Sequence, residues 1–130
     1  MEDAHQYQYK ILAVDDDEFS LRLLEKFLAP AGYAVTKAHD GAEALDLLSQ
    51  ERFDLLITDI SMPRMSGLRL LEEVEKRHGA IPTIVVTASE INSTTQRKSH
   101  SLGARSFMVK PLDRDELLDV VEQVLGKEKA

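Results

Sequence analysis

Five short apolar runs, Lys10 to Val14, Ala34 to Ala38, Leu55 to Thr58, Thr83 to Thr87 and Ser106 to Val109, begin 24, 21, 28 and 23 residues apart. That spacing holds a strand plus a crossover helix and is too long for a hairpin, so the runs predict five βα units in series and a parallel sheet covered on both faces. The intervening segments carry helical stripes. Leu21, Leu24 and Leu28 stand at i, i+3 and i+7, and Leu117, Val121 and Val124 at i, i+4 and i+7. Gly32, Gly79, Gly103 and Gly126 follow helical stretches, where a left-handed residue commonly closes the last turn. Asp40 to Glu43 and Asp113 to Glu116 have capping-box spacing, with Asp in place of the usual Ser or Thr.

One segment departs from the pattern. From Ile91 to Leu102 the expected inward stripe is Ile91, Thr95, Lys98 and Leu102, surrounded by Ser93, Thr94, Ser99 and Ser101. So little apolar area among poor helix formers predicts a marginal element, either a frayed surface helix or loop or one that can be repositioned when the adjacent site changes charge.

The 130 residues fit one domain spanning 1–130, with a core over about 9–126 and loose ends at 1–8 and 127–130. With 43% hydrophobic residues but only 5% aromatic ones and no Trp, the core is expected to consist of Leu, Ile, Val and Ala. The absence of cysteine excludes disulfides, thiolate zinc sites and a thiol nucleophile. A net charge of −7 disfavours nucleic acid and anionic membranes as partners of this chain. No apolar run approaches a membrane span, and residues 1 to 10 lack the apolar region of an export signal. A cytoplasmic location is therefore expected.

The chemistry lies at the strand ends. Asp15-Asp16-Asp17-Glu18 follows the first run, Asp59 closes the third, Thr87 ends the fourth, and Lys110-Pro111 follows the fifth. In a doubly wound sheet of order 2-1-3-4-5 the first and third strands are neighbours, and the crevice at that switch point is where such sheets bind ligands. Asp15, Asp16 and Asp59 then share one pocket with a formal charge of −3, which mutual repulsion forbids without cations. Mg²⁺ suits this set, being a hard ion that takes carboxylate oxygens and keeps several waters. Lys110 completes the compensation. A lysine and Mg²⁺ can stabilise charge on phosphoryl oxygens, and an ionised Asp needs no general base to attack phosphorus. Asp59 is thus the expected nucleophile, forming an aspartyl phosphate, with the Thr87 hydroxyl donating to a phosphate oxygen.

These residues resemble the receiver domain of two-component response regulators, the chemotaxis-type receiver fold, over nearly the whole chain. The resemblance rests on Val14 to Asp17, Asp59 to Gly67, Val86-Thr87-Ala88 and Lys110-Pro111, in order and at family-like spacing. It implies a flavodoxin-like (βα)5 fold and a phosphorylation-activated switch of a phosphorelay. Asp59 then accepts phosphate from a sensor histidine kinase or phosphotransfer protein, and a downstream output protein or domain reads the result. The chain would catalyse only its own phosphorylation and dephosphorylation. The resemblance further implies that Asp15, Asp16, Asp59 and the Ser61 carbonyl hold Mg²⁺, that Thr87 and Lys110 contact phosphate, that Thr87 and Phe107 form the switch pair, and that Lys110-Pro111 is cis. The segment from Gly103 to Val109 lacks the Asp-Asp-Tyr run of receivers that dimerise through their last helices.

Rival functions require other residues. A flavin-binding relative would carry a Ser/Thr/Gly-rich loop where this chain has four acids, and a dinucleotide binder would need Gly-x-Gly-x-x-Gly. A haloacid-dehalogenase-type phosphatase shares the Asp nucleophile and Mg²⁺ but uses an Asp-x-Asp pair and a cap domain, against the adjacent Asp15-Asp16 here. A vestigial protein-interaction module would have lost Asp59 or Lys110, and both are present. His5, His39, His78 and His100 show no ligand spacing and are expected at the surface. Met62, Met65 and Met108 are expected to pack, and Asp17 and Glu18 to cap the first helix.

Overall fold

In the computed structural model, which describes residues 8–88 and 92–126, five strands alternate with five helices. They run β1 (Lys10–Val14), α1 (Glu18–Leu28), β2 (Ala34–Ala38), α2 (Gly41–Gln50), β3 (Leu55–Asp59), α3 (Gly67–His78), β4 (Thr83–Thr87), α4 (Ser93–Ser101), β5 (Ala104–Val109) and α5 (Arg114–Leu125). A short 3₁₀ turn, Ala29–Ala31, follows α1. The sheet is parallel throughout, in the order β2-β1-β3-β4-β5. This is the five-stranded, doubly wound α/β fold expected from the spacing of the apolar runs. Ile91 and most of the expected loose ends lie outside the described residues.

The side-chain period of two divides the central strands between two cores. On one face Ile11, Ala13, Leu55, Ile57, Ile84 and Val86 meet Leu21, Leu24 and Leu28 of α1 and Leu117 and Val121 of α5. On the other, Leu12, Val14, Leu56 and Val85 meet Ala44, Leu45 and Leu48 of α2 and Leu70, Leu71 and Val74 of α3. Every residue of β3 and β4 is buried, as continuous apolar strands covered on both sides must be.

Local chemistry sets the helix ends. The Asp40, Asp113 and Ser66 side chains accept from the backbone N–H three residues on and cap α2, α5 and α3. At α2 the return arm differs from the expected box, because the Glu43 carboxylate accepts from the His39 N–H rather than from that of Asp40. Asp17 occupies the N-cap position of α1 without a side-chain bond to the backbone; its carboxylate instead accepts from the Ser20 hydroxyl at 2.9 Å.

Two expectations are corrected. β5 begins at Ala104, two residues before the apolar run, because the register with β4 slips there: Thr83 lies opposite Ala104 but Ile84 opposite Ser106. Arg105 is the extra residue, and an apolar-run criterion cannot see a strand that starts before a bulge. In α4 the inward position is Ser99, not Thr95 or Lys98. Thr95 is half-buried, and Lys98 points outward to pair with Glu72 of α3 at 3.5 Å. Leu102 is half-buried just past the helix end.

Ser99 is fully buried and its hydroxyl lacks a hydrogen-bond partner among the described residues. A buried, unsatisfied polar group costs about 1–3 kcal/mol, so the helix is docked by a side chain that opposes docking. Ser99→Ala is expected to raise stability by about 1 kcal/mol, whereas Leu70→Ala, fully buried on α3, is expected to lower it by about 2–5 kcal/mol. Chemical denaturation checks both; a destabilised Ser99→Ala protein would mean that the hydroxyl is satisfied in solution.

Candidate phosphorylation site

The reversal of strand order places the ends of β1 and β3 side by side. Asp15 directly follows β1, its N–H donating to the Ala38 carbonyl at 3.1 Å. Asp59 is the last residue of β3, in register with Val86. Thr87 ends β4 opposite Val109, and the Lys110 N–H donates to the Thr87 carbonyl at 2.8 Å. Asp15, Asp59 and Thr87 are 2%, 7% and 5% exposed. Carboxylates this enclosed demand partners.

The partners converge from three elements. The Lys110 ammonium donates to Asp15 Oδ2 at 2.8 Å and to Asp59 Oδ2 at 3.3 Å. The Asp17 N–H donates to Asp15 Oδ1 at 2.9 Å, and the Ser61 N–H to Asp59 Oδ1 at 3.1 Å. Asp16 is exposed at the rim. One carboxylate oxygen from each of Asp15, Asp16 and Asp59 lies within 4.8 Å of the others. Three hard oxygens from three carboxylates, one solvent-facing, form a donor set that could hold a divalent metal ion which keeps part of its water shell.

Backbone geometry makes this approach possible. The Ile60 N–H donates to the Val86 carbonyl, and the Gly67 N–H returns to the Ile60 carbonyl at 2.9 Å. A Cβ at Gly67 would lie 2.3 Å from the Asp59 carbonyl oxygen, so only glycine lets α3 start directly beneath the strand end that presents Asp59. The intervening loop is tethered outward, with Arg64 at φ 67° and its guanidinium 3.5 Å from Asp40. The Lys110-Pro111 bond is cis, as the resemblance implied.

Burial drives the Asp15 pKa above its ordinary value, against the Lys110 hydrogen bond and the Asp17 N–H that hold it down; the Asp59 charge adds to the rise. For Lys110, burial acts to lower the pKa, but the hydrogen bond to Asp15 and the charges of Asp15 and Asp59 outweigh it. The lysine therefore remains a cation, and the pocket stays over-supplied with negative charge.

All six expected residues, Asp15, Asp16, Asp59, Ser61, Thr87 and Lys110, gather at this end of the sheet. Phe107 lies on β5, half-buried against the core that contains Val85 and Ala104. Met62 and Met65 are half-buried and Met108 buried, as packing residues should be.

Two features were not anticipated. His39, exposed as expected, is held between Glu18 (2.8 Å) and Glu43 (3.2 Å). Its pKa is raised, first by the hydrogen bond to Glu18 and then by that to Glu43. The second is a cleft of about 340 Å³ beside Asp59, walled by Phe19 and Leu23 of α1 and by Pro111 and Leu112. The i, i+4 spacing of Phe19 and Leu23, off the Leu21-Leu24-Leu28 stripe, was its one sequence signal.

Comparison with known proteins agrees with the geometry. Residues 11–122 match the model of the response regulator receiver domain. The chain is 38% identical over 121 residues to the DNA-binding transcriptional regulator NtrC of Escherichia coli K12, covering 92% of this chain and 25% of that protein. It is 36% identical to response regulator MprA of Mycobacterium avium, over 92% of this chain and 52% of that one. Among solved structures, chemotaxis protein CheY4 of Vibrio cholerae superposes with a TM-score of 0.85 at 32% identity, over 91% and 99% of the two chains. A CheY-like receiver domain protein of Methanospirillum hungatei does so with a TM-score of 0.86 at 30% identity, over 93% and 96%.

The chain belongs to the response regulator receiver domain family, the phosphorylation-activated switches of two-component systems. Receiver domains are regulatory switches rather than conventional enzymes. This chain spans a quarter to a half of the length of the curated relatives described above. Among the described residues no helix is long and apolar enough to cross a membrane.

The raised pKa of Asp15 has a thermodynamic sign. A carboxyl that holds its proton more tightly folded than unfolded loses stability by being ionised. That cost is absent below the ordinary value of 3.8, grows as pH rises towards the folded value, and is complete above it. With a chelator present at pH 7, Asp15→Asn should therefore melt higher than the wild type. A lower melting temperature would show that the Lys110 bridge outweighs burial.

Proposed function

We propose that Asp59 is the phosphoacceptor of this receiver and that Asp15, Asp16, Asp59 and the Ser61 carbonyl hold Mg²⁺. The observation that carries this reading is the placement of a buried strand-end carboxylate within 3.3 Å of the Lys110 ammonium and beside two further carboxylates. Bound there, the ion would neutralise charge on the attacking carboxylate and on the incoming phosphoryl oxygens. An Asp59 oxygen forms the bond to phosphorus as the bond to the donor breaks, and the donor leaves with that electron pair. Lys110 is placed to follow the phosphoryl oxygens, and the Thr87 hydroxyl to donate to one of them. The Ser61 N–H, already on Asp59 Oδ1, fixes the carboxylate plane. The chain thus supplies the catalytic groups for its own phosphorylation, and a water aligned by the same groups serves dephosphorylation.

The partners on this reading are a sensor histidine kinase or phosphotransfer protein as donor and a downstream output protein or domain as receiver, in the cytoplasm. Residues 1–130 act as one receiver unit. Phosphorylation adds acceptor oxygens and about one further negative charge at Asp59. Thr87 moves to meet them, Phe107 turns into the space released beside β5, and weakly docked α4 is the element whose position responds. A phosphatase of the haloacid-dehalogenase type is disfavoured by the adjacency of Asp15 and Asp16, and a vestigial module by the intact Lys110-Asp59 pair.

Intact-mass analysis after incubation with acetyl phosphate tests the assignment. The wild type should gain one phosphoryl group only when Mg²⁺ is present, and hydroxylamine should remove it. Asp59→Asn should gain none, and Asp16→Ala should lose most of the labelling. Equal uptake by wild type and Asp59→Asn would overturn the proposal.

A further inference from the structure

The cleft beside Asp59 extends from the phosphorylation site over an apolar wall formed by α1 and Pro111-Leu112. Its volume of about 340 Å³ lies in the range of small-molecule sites. Its ionisable lining residues, Asp15, Asp59 and Lys110, all belong to the phosphorylation site, and the remaining wall is apolar apart from Ser20. Phe19 stands on that wall 64% exposed, one of two large hydrophobic side chains so exposed among the described residues. An occupant that satisfies such a surface has an anionic end at Lys110 and a flat apolar body against Phe19, Leu23 and Pro111.

We propose that this cleft selects small phosphodonors by their leaving group, favouring an aroyl phosphate over acetyl phosphate. The inference rests on Asp59 as phosphoacceptor. The step balances without any further reactant. An Asp59 carboxylate oxygen bonds to phosphorus, the bond from phosphorus to the carboxylate oxygen of the donor breaks, and benzoate departs with the electron pair. No proton or redox equivalent is exchanged. An acetyl group offers the wall one methyl, whereas a benzoyl ring offers a face to the Phe19 ring and to Pro111, and aromatic rings gain from such offset contact beyond their buried area. Because the ring is held in the ground state as well as in the transition state, the advantage belongs in KM rather than kcat.

The test compares benzoyl phosphate with acetyl phosphate at equal Mg²⁺, reading phosphoryl uptake by intact mass over a range of donor concentrations. Wild type is expected to show kcat/KM about tenfold higher for benzoyl phosphate, equivalent to ~1.4 kcal/mol, chiefly through a lower KM. Phe19→Ala, which removes an exposed side chain and so leaves the core untouched, should bring the ratio down to about twofold, what the slightly better leaving group gives by itself. Leu23→Ala should lower it in part. Val109→Ala, which removes the other exposed hydrophobic, should leave the ratio as in wild type. Equal rates for the two donors, or a benzoyl preference that stays at about tenfold in Phe19→Ala, would overturn this proposal and leave Asp59 as phosphoacceptor intact. Labelling by neither donor would bring down both.

Discussion

The bridge from the Lys110 ammonium to Asp15 and Asp59 is the contact on which the rest depends. It spans 95 residues to Asp15 and 51 to Asp59, so it forms only if the sheet has its observed order. Reversing the winding after β2 puts β1 against β3, and the chain then returns through β4 to β5, whose end reaches back across the crevice. The bridge answers only part of the negative charge gathered there. One ammonium faces three carboxylates, and the raised pKa of Asp15 shows that burial prevails over its partners. A pocket left with excess negative charge is suited to a dication, which can in turn accept a phosphoryl group beside it.

On the proposed reading, the route by which phosphorylation is felt elsewhere follows from unequal docking of the helices. Helices α1, α2, α3 and α5 each set at least two apolar residues into a core, while the one buried residue of α4 is a serine without a hydrogen-bond partner among the described residues. Local stability varies across a fold with the apolar contact each element makes. The element beside Phe107 is therefore the one whose position a modest free energy at the site can alter. Its charged contact, Lys98 with Glu72, is exposed and worth little by comparison.

Much of this was legible in the chain because it depends on periodicity and strand ends. The five apolar runs marked the strands to within two residues, and the acids and lysine following them marked the groups that meet at the strand ends. Resemblance supplied the cis Lys110-Pro111 bond, which composition and spacing do not encode. What escaped reading depends on pairs of distant elements. The bulge at Arg105 shows only in the β4–β5 register, and the inward face of α4 turns on Ser99 because the helix starts at Ser93 and is oriented by its neighbours rather than by a stripe of its own. The bracket of Glu18 and Glu43 around His39 needs α1 and α2 in place, and the cleft needs α1 beside Pro111.

The central claim is that the acidic pocket is completed by a dication whose seat is the three carboxylates, with Lys110 reserved for the phosphoryl group. Calorimetric titration with Mg²⁺ tests it most directly. The account predicts one ion per chain for the wild type, binding undiminished or tighter in Lys110→Ala because a competing cation has gone, and binding weakened at least about tenfold, ~1.4 kcal/mol, in Asp59→Asn. Loss of Mg²⁺ binding in folded Lys110→Ala, or full affinity in Asp59→Asn, would contradict it.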